Sequence, residues 1–401
     1  MKILHTSDWH LGHVLYNYSR EEEQQSMLDQ IIEIVRNEQP DALLIAGDVY
    51  DTTQPSATVQ KMFADSIVSI HDACPGMQIF CIAGNHDSGS RHMIFQTPWQ
   101  ALGVHMIGSI LRDSDLEDYI FKIEGKGYII AVPFAFGRFM PDDVFKRLTR
   151  MVAERNAQEQ LPVFVMGHLA LFKTDYRGHD QSTDDNIGGV PCQEIDIFGD
   201  DYDYVALGHI HKEQTLGAKG NVRYCGTPIA VSFDESYSGN RHGVTSVSCQ
   251  KHGGPVTITP VDIDNIRPLV NIPADGYDNW DNVLDELKNF PDDIPAYLRL
   301  NVEIEKSLKA GSLDQARLIA GAKKCRICLI NPTRKEKNES AGQQSLTTME
   351  FKELEQSEVL RMWAESKGMD FSDDLKELFQ IVKDSLLEFP DEYPDVTKDN
   401  D

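Results

Sequence analysis

Five short polar motifs, each placed directly after an apolar run, constrain this chain more than any other feature. Ile3-Leu4 leads into Asp8-Trp9-His10, residues 42–46 into Gly47-Asp48, and 79–83 into Gly84-Asn85-His86-Asp87. Residues 163–166 lead into Gly167-His168, and 204–207 into Gly208-His209-Ile210-His211. Short apolar runs bounded by turn residues read as buried strands, so the motifs fall at strand ends, where α/β folds bind their ligands. Taken singly, an Asp or His after a strand reads equally well as a cap or a loop residue. Five in one layout deliver Asp8, His10, Asp48, Asn85, His168, His209 and His211 together. That is enough nitrogen and oxygen donors for two metal ions, with one carboxylate able to bridge. Metals about 3.5–4 Å apart are a standard device for phosphoester cleavage. Glycines before Asp48, Asn85, His168 and His209 suit tight turns that bring backbone close to such a site.

The bulk properties narrow the rest. A chain of 401 residues has room for two or three domains. A net charge of −26 argues against a broad Lys/Arg surface for nucleic acid, although metal ions or a basic partner could supply the positive field. No run of about 18 apolar residues occurs, so no membrane span is expected. A polar Asp8 so close to Met1 makes a signal peptide unexpected. Seven cysteines without scaffold spacing point to a reducing cytoplasm. Cys325 and Cys328 form a C-x-x-C with no second ligand pair nearby, in a segment that reads as a strand, so a structural role is expected.

Residues 1–265 alternate strands with helical stretches. Ser19 is expected to cap a helix carrying Met27, Leu28, Ile31, Ile32 and Val35, and Pro55 to open another carrying Val59, Met62, Phe63, Ile67 and Ile70. Residues 224–261 are richer in strands and turns, so an α/β sandwich with mixed sheets fits best. Residues 266–331 read strand, helix, strand, helix, strand, a small α+β module. Residues 332–346 form a polar linker. Residues 347–389 hold two amphipathic helices, one with Trp363, the other behind the N-cap Ser372 with the stripe Leu375, Leu378, Phe379, Val382, Leu386 and Phe389. Such a pair either packs on its own domains or docks under a partner, and the linker before it favours the partner. Residues 390–401 are acidic and expected to be disordered.

The motifs His5 to Gly12, Gly47 to Asp51, Gly84 to Asp87 and Gly208 to His211 resemble those of the calcineurin-like metallophosphoesterases. The tryptophan in the first motif, with Tyr224-Cys225-Gly226-Thr227-Pro228 and Phe233-Asp234-Glu235, is similar more narrowly to the SbcD family. These are the nuclease subunits of bacterial SbcC–SbcD double-strand-break repair complexes. The resemblance implies a four-layer αββα sandwich, a DNA-capping domain and C-terminal helices docking on an SbcC-like coiled-coil ATPase. It implies that Asp8, His10, Asp48 and His211 hold one divalent ion, and Asp48, Asn85, His168 and His209 the other, with Mn²⁺ suited to that mixed donor set. His86 is implied to act at the leaving group, and Asp87 to orient a neighbouring histidine. Where some archaeal relatives carry a histidine after the bridging aspartate, this chain has Asp51, expected to bond a neighbouring group. His13, His92 and His179 are expected in surface or loop roles, with the segment around His179 near substrate.

The activity implied is ATP-dependent double-strand exonuclease and single-strand or hairpin endonuclease action on DNA, by a cytoplasmic homodimer joined through residues 55–70 or 91–102. The sequence has no G-x-x-x-x-G-K-[ST] phosphate loop, so ATP hydrolysis falls to the partner. A small-molecule or nucleotide phosphodiesterase on the same metal core is the alternative. A non-catalytic scaffold for the ATPase is the second, disfavoured by the complete donor set.

Overall fold

The computed structural model describes residues 1–334 apart from 95, 136–138, 178, 180–181, 238, 305–307 and 309–310. The terminal helix pair, with Trp363, Leu375, Leu378, Phe379, Val382 and Leu386, and the acidic tail lie outside the described residues.

Strands β1 (Lys2–Thr6), β2 (Ala42–Ala46), β3 (Gln78–Ile82) and β4 (Val104–Ile107) run parallel. The chain then builds a second sheet from β5 (Ile120–Ile123), β6 (Gly127–Ala131), β7 (Val163–His168), β8 (Tyr204–Gly208), β9 (Gln214–Leu216) and β10 (Val222–Tyr224). Its order is β9-β10-β8-β7-β6-β5, parallel in the middle and antiparallel at both edges. The chain returns through β11 (Gly243–Cys249) and β12 (Val256–Asp262), which complete the first sheet as β12-β11-β1-β2-β3-β4. Both sheets are mixed.

Period-2 alternation sorts the side chains. In β2, Ala42, Leu44 and Ala46 join Ile3, Phe80 and Ile82 in the core between the sheets, while Leu43 and Ile45 face the other way. That outer face is covered by α1 (Glu21–Glu38) and α2 (Ala57–Ala73) through Met27, Leu28, Ile31 and Val35, and Met62, Phe63, Ile67 and Ile70. Each such side chain contributes roughly 1.5–3 kcal/mol on burial. Helix α3 (Val144–Asn156) packs Phe145, Leu148 and Val152 into the core of the second sheet. The layers are helix, sheet, sheet, helix, the αββα sandwich expected.

Two helix starts differ from the expected ones. Ser19 lies in a two-residue strand paired with Val14–Leu15, and Arg20 occupies the N-cap of α1 without a capping side-chain bond. Arg20 is buried and donates from Nη1 to the Ala230 carbonyl at 2.6 Å, so a tertiary contact fixes the entry of the chain. Glu21, Glu22 and Glu23 in the first turn answer the helix dipole instead. In α2 the cap is Ser56, whose side chain accepts from Val59 N–H, and not Pro55.

Past β12 come β13 (Leu269–Ile272), α4 (Trp280–Asn289), β14 (Tyr297–Ile304), α5 (Ser312–Gly321) and β15 (Arg326–Arg334). The three strands are parallel in the order β13-β14-β15 and enclose, with the helices, a core of Ile272, Leu284, Leu287, Leu298, Leu300 and Ala316. Strand β15 continues to Arg334, into the segment expected as linker, because Asn331 to Arg334 still pair with Asn301 to Ile304. Cys328 sits where the register shifts between Leu298 and Arg299, and Cys325 and Cys328 are both free. Leu15, Ala230, Phe233, Leu269 and Tyr297 form the apolar junction between module and sandwich. Arg267 completes it, reaching Glu22 and Glu23 at 3.3 Å each and lying over the Tyr297 ring. Among the described residues no helix is long and apolar enough to cross a membrane.

Candidate metal centre

Each polar motif emerges at the carboxyl end of its strand. Asp8 and His10 follow β1, Asp48 follows β2 and Asn85 follows β3, while His168 ends β7 and His209 and His211 follow β8. Gly208 pairs with His168 in register, which sets the two motifs of the second sheet side by side. Two donor clusters result: Asp8, His10 and His211, and Asp48, His168 and His209. All six residues are less than a tenth exposed.

Asp48 stands between the clusters, with Oδ2 3.4 Å from His168 Nε2 and 3.9 Å from His10 Nε2. Asn85 Oδ1 lies 2.9 Å from His168 Nε2 and 3.0 Å from His209 Nδ1. His10 Nε2 and His211 Nε2 approach to 3.2 Å. The turns are tight: Asp8, His10, Asp48 and His209 all have positive φ, between 44° and 96°. Gly47 has φ 91°, and a Cβ there would fall 2.3 Å from His168 Nδ1. A Cβ on Gly84 would fall 2.1 Å from Asp48 Oδ1. Both glycines are therefore required by the approach of one motif to the next.

The tautomers are set by the outer nitrogens, since a carbonyl or carboxylate can only accept. His168 donates from Nδ1 to the Ala46 carbonyl (2.9 Å), His209 from Nε2 to the Ile187 carbonyl (2.8 Å), and His211 from Nδ1 to Glu235 Oε1 (3.0 Å). His10 Nδ1 lies 3.3 Å from Asp51 Oδ1. The remaining nitrogen of each ring faces the centre, the orientation a metal-binding histidine needs. In the metal-free chain, burial opposes charge on His10 and His168, but the Asp51 bond and Asp48 and Asp8 charges on His10, and Asp48 on His168, outweigh it and raise both to about 9. Burial would raise the Asp48 carboxyl, yet the neighbouring His168 and His10 hold it well below the usual carboxylate range. Burial and the His168 charge push His209 down to about 3. A cluster in which carboxylates hold imidazolium protons in place of cations, with every outer nitrogen anchored, fits divalent metal.

His86 is exposed beside this cluster. It anchors Nδ1 on the Asp51 carbonyl at 3.0 Å, and its ring centroid lies 5.0 Å from that of His10. Its N–H donates to Asp48 Oδ1 at 2.9 Å. Asp87 does not orient a histidine as expected. Its carboxylate accepts from Val49 N–H (3.2 Å), Tyr50 N–H (3.0 Å) and Gly84 N–H (2.9 Å), strapping the loops after β2 and β3 together. His92 is buried, not at the surface, and bonds the Cys81 carbonyl at 3.1 Å. His13 is partly buried. His179 accepts from His211 N–H at 3.3 Å, with ring centroids 4.4 Å apart. The sequence marks Glu235 only as part of a motif. Its signal is its place in Phe233-Asp234-Glu235, and its role appears only when the fold brings it against His211.

Residues 1–213 match the family described as Calcineurin-like phosphoesterase. With more than half of its length matched, and with this fold and donor set, the chain is a calcineurin-like phosphoesterase. It is 32% identical over 303 residues to the SbcD subunit of the SbcCD nuclease of Rhodobacter capsulatus, covering 69% of this chain and 72% of that one. It is 30% identical over 342 residues to the SbcD subunit of the Bacillus subtilis nuclease, covering 79% and 83%. With its Escherichia coli K12 counterpart it shares 30% over 262 residues, covering 59% and 62%. Within its class, the chain belongs to the SbcD family.

Proposed function

We propose that this protein is the nuclease subunit of an SbcC–SbcD-type DNA repair complex, a phosphodiesterase that cleaves DNA with two divalent cations. The convergence of free imidazole nitrogens and carboxylates from five strand ends supports this reading more than any other observation. Asp8, His10 and His211 would hold one ion, Asn85, His168 and His209 the other, and Asp48 both. Mn²⁺ suits the donor set. The chemistry supplied by such ions is activation of water and neutralisation of charge on phosphate oxygens. The chain's own residues do the rest. Glu235 and the Ala46 and Ile187 carbonyls fix the rings, and Asp87 fixes the loops that carry Asp48 and Asn85. His86, anchored through Nδ1 and exposed at the rim, is placed to give a proton from Nε2 to a departing DNA oxygen.

The full reading adds double-strand exonuclease and hairpin or single-strand endonuclease action, ATP supplied through an SbcC-like coiled-coil ATPase, a homodimer and a cytoplasmic setting. The names of the relatives support the ATPase and the DNA substrate. The test is cleavage of a DNA hairpin by the full chain with that ATPase. Cleavage should stop on chelation and return with Mn²⁺. Cleavage that survives chelation would overturn the metal reading, and hydrolysis of a nucleotide phosphodiester without cleavage of DNA would favour the small-molecule alternative.

A further inference from the structure

The anchors of the four histidines fall into two classes. His168 and His209 donate to neutral main-chain carbonyls, those of Ala46 and Ile187. His211 and His10 face carboxylates, Glu235 at 3.0 Å and Asp51 at 3.3 Å. The division follows the donor clusters: both carboxylate-backed rings group with Asp8, both carbonyl-backed rings with Asp48. A carboxylate accepting a ring N–H raises the basicity of the opposite nitrogen and fixes the plane of the ring, and its loss typically costs about 10–100-fold in metal affinity. Glu235 is itself held rigid. It is 1% exposed and accepts from Thr227 Oγ1, Val231 N–H and Ser232 N–H as well as from His211. Asp51 has a different second use: its main-chain carbonyl anchors His86, so a change of its side chain leaves that bond in place.

We propose that Asp51 and Glu235 are positioning residues that make the two cation positions unequal, so that the Asp8–His10–His211 position fills first. The inference rests on the two-metal reading above and extends it to an order of loading. The first ion enters a pocket already set by two outer carboxylates. The second depends on neutral anchors and on Asn85, a neutral ligand. Asp51 thereby takes a place in the centre although it has no claim on a phosphate.

The full chain, stripped of metal, is titrated with Mn²⁺ by calorimetry, with bound metal counted by elemental analysis. Wild type should take two ions in a tight and a weak step. Asp51→Ala should weaken the tight step about 10–100-fold and leave the weak step within about threefold. Asp51→Asn, whose amide oxygen can still accept from His10 Nδ1, should recover part of the loss. Metal-free melting of both variants at the wild-type temperature separates ligand tuning from misfolding. An unchanged tight step in Asp51→Ala, or equal weakening of both steps, overturns the proposal. A wild-type chain that binds fewer than two ions overturns the two-metal reading itself.

Discussion

The sandwich and the small module are assembled from the same alternation of apolar residues, yet they treat their backbones differently. All ten non-glycine residues with positive φ lie before residue 266, four of them in Asp8, His10, Asp48 and His209 at the metal centre. Between residues 266 and 334 none occurs among the described residues. Such conformations cost roughly 1–3 kcal/mol each and persist only where the surroundings over-determine them. The sandwich supplies those surroundings: the Gly47 carbonyl accepts from Asp8 N–H at 2.9 Å, His10 N–H bonds the Asp48 carbonyl at 3.1 Å, and both Asp8 oxygens accept from His209 N–H. The module has no comparable cluster to hold and stays close to relaxed geometry. Strain is thus concentrated where donors must converge, and the two buried sheets sustain it.

The largest effect should come from the residue that both donor clusters share. Asp48→Asn should reduce Mn²⁺-dependent DNA cleavage by more than about 10³-fold, since several kcal/mol of charge stabilisation depend on the metal pair. Cleavage within tenfold of wild type would break the assignment of Asp48 to both positions. His86→Ala should lose about 10²–10⁴-fold, the usual span of general acid–base catalysis, while elemental analysis still finds the wild-type metal content. A missing metal equivalent would make His86 a ligand. Leu298→Ala, in the core of the module, should cost about 2–5 kcal/mol of unfolding free energy in denaturant without changing Mn²⁺ stoichiometry. Loss of metal in that variant would show that the module, too, helps hold the centre. The smallest effect should come from Arg267→Ala, about 1.5–3 kcal/mol for hydrogen bonds to charged groups. An unshifted denaturation midpoint would leave the junction to Leu15, Phe233, Leu269 and Tyr297 alone.

The strand ends are legible in the sequence because β2, β3, β7 and β8 are apolar on both faces, and each stops at a glycine or a polar ligand. Helix starts are less so. Ser19 is a good cap by residue type, but the Val14–Ser19 hairpin and the buried Arg20 claim that stretch of chain. The outer anchors are beyond reach for another reason. Two of the four, the Ala46 and Ile187 carbonyls, are main-chain atoms that carry no sequence signature, and Glu235 meets His211 across 24 residues of intervening chain. Asp87 misleads because a carboxylate beside a histidine motif suggests an imidazole partner, whereas three unpaired N–H groups at the loop turns compete for it and win.

The donors are divided between the sheets. The first contributes Asp8, His10, Asp48 and Asn85; the second contributes His168, His209 and His211. Neither sheet alone is a chelator, so cations bridging the donors would act as rivets across the seam. Metal uptake then becomes a gauge of tertiary integrity. A slip of one sheet against the other would separate the nitrogens from the carboxylates and release the ions before any strand had frayed. Conversely, any free cation above its dissociation constant stabilises the docked pair by RT ln(1 + [L]/Kd), about 2.7 kcal/mol at a hundredfold excess.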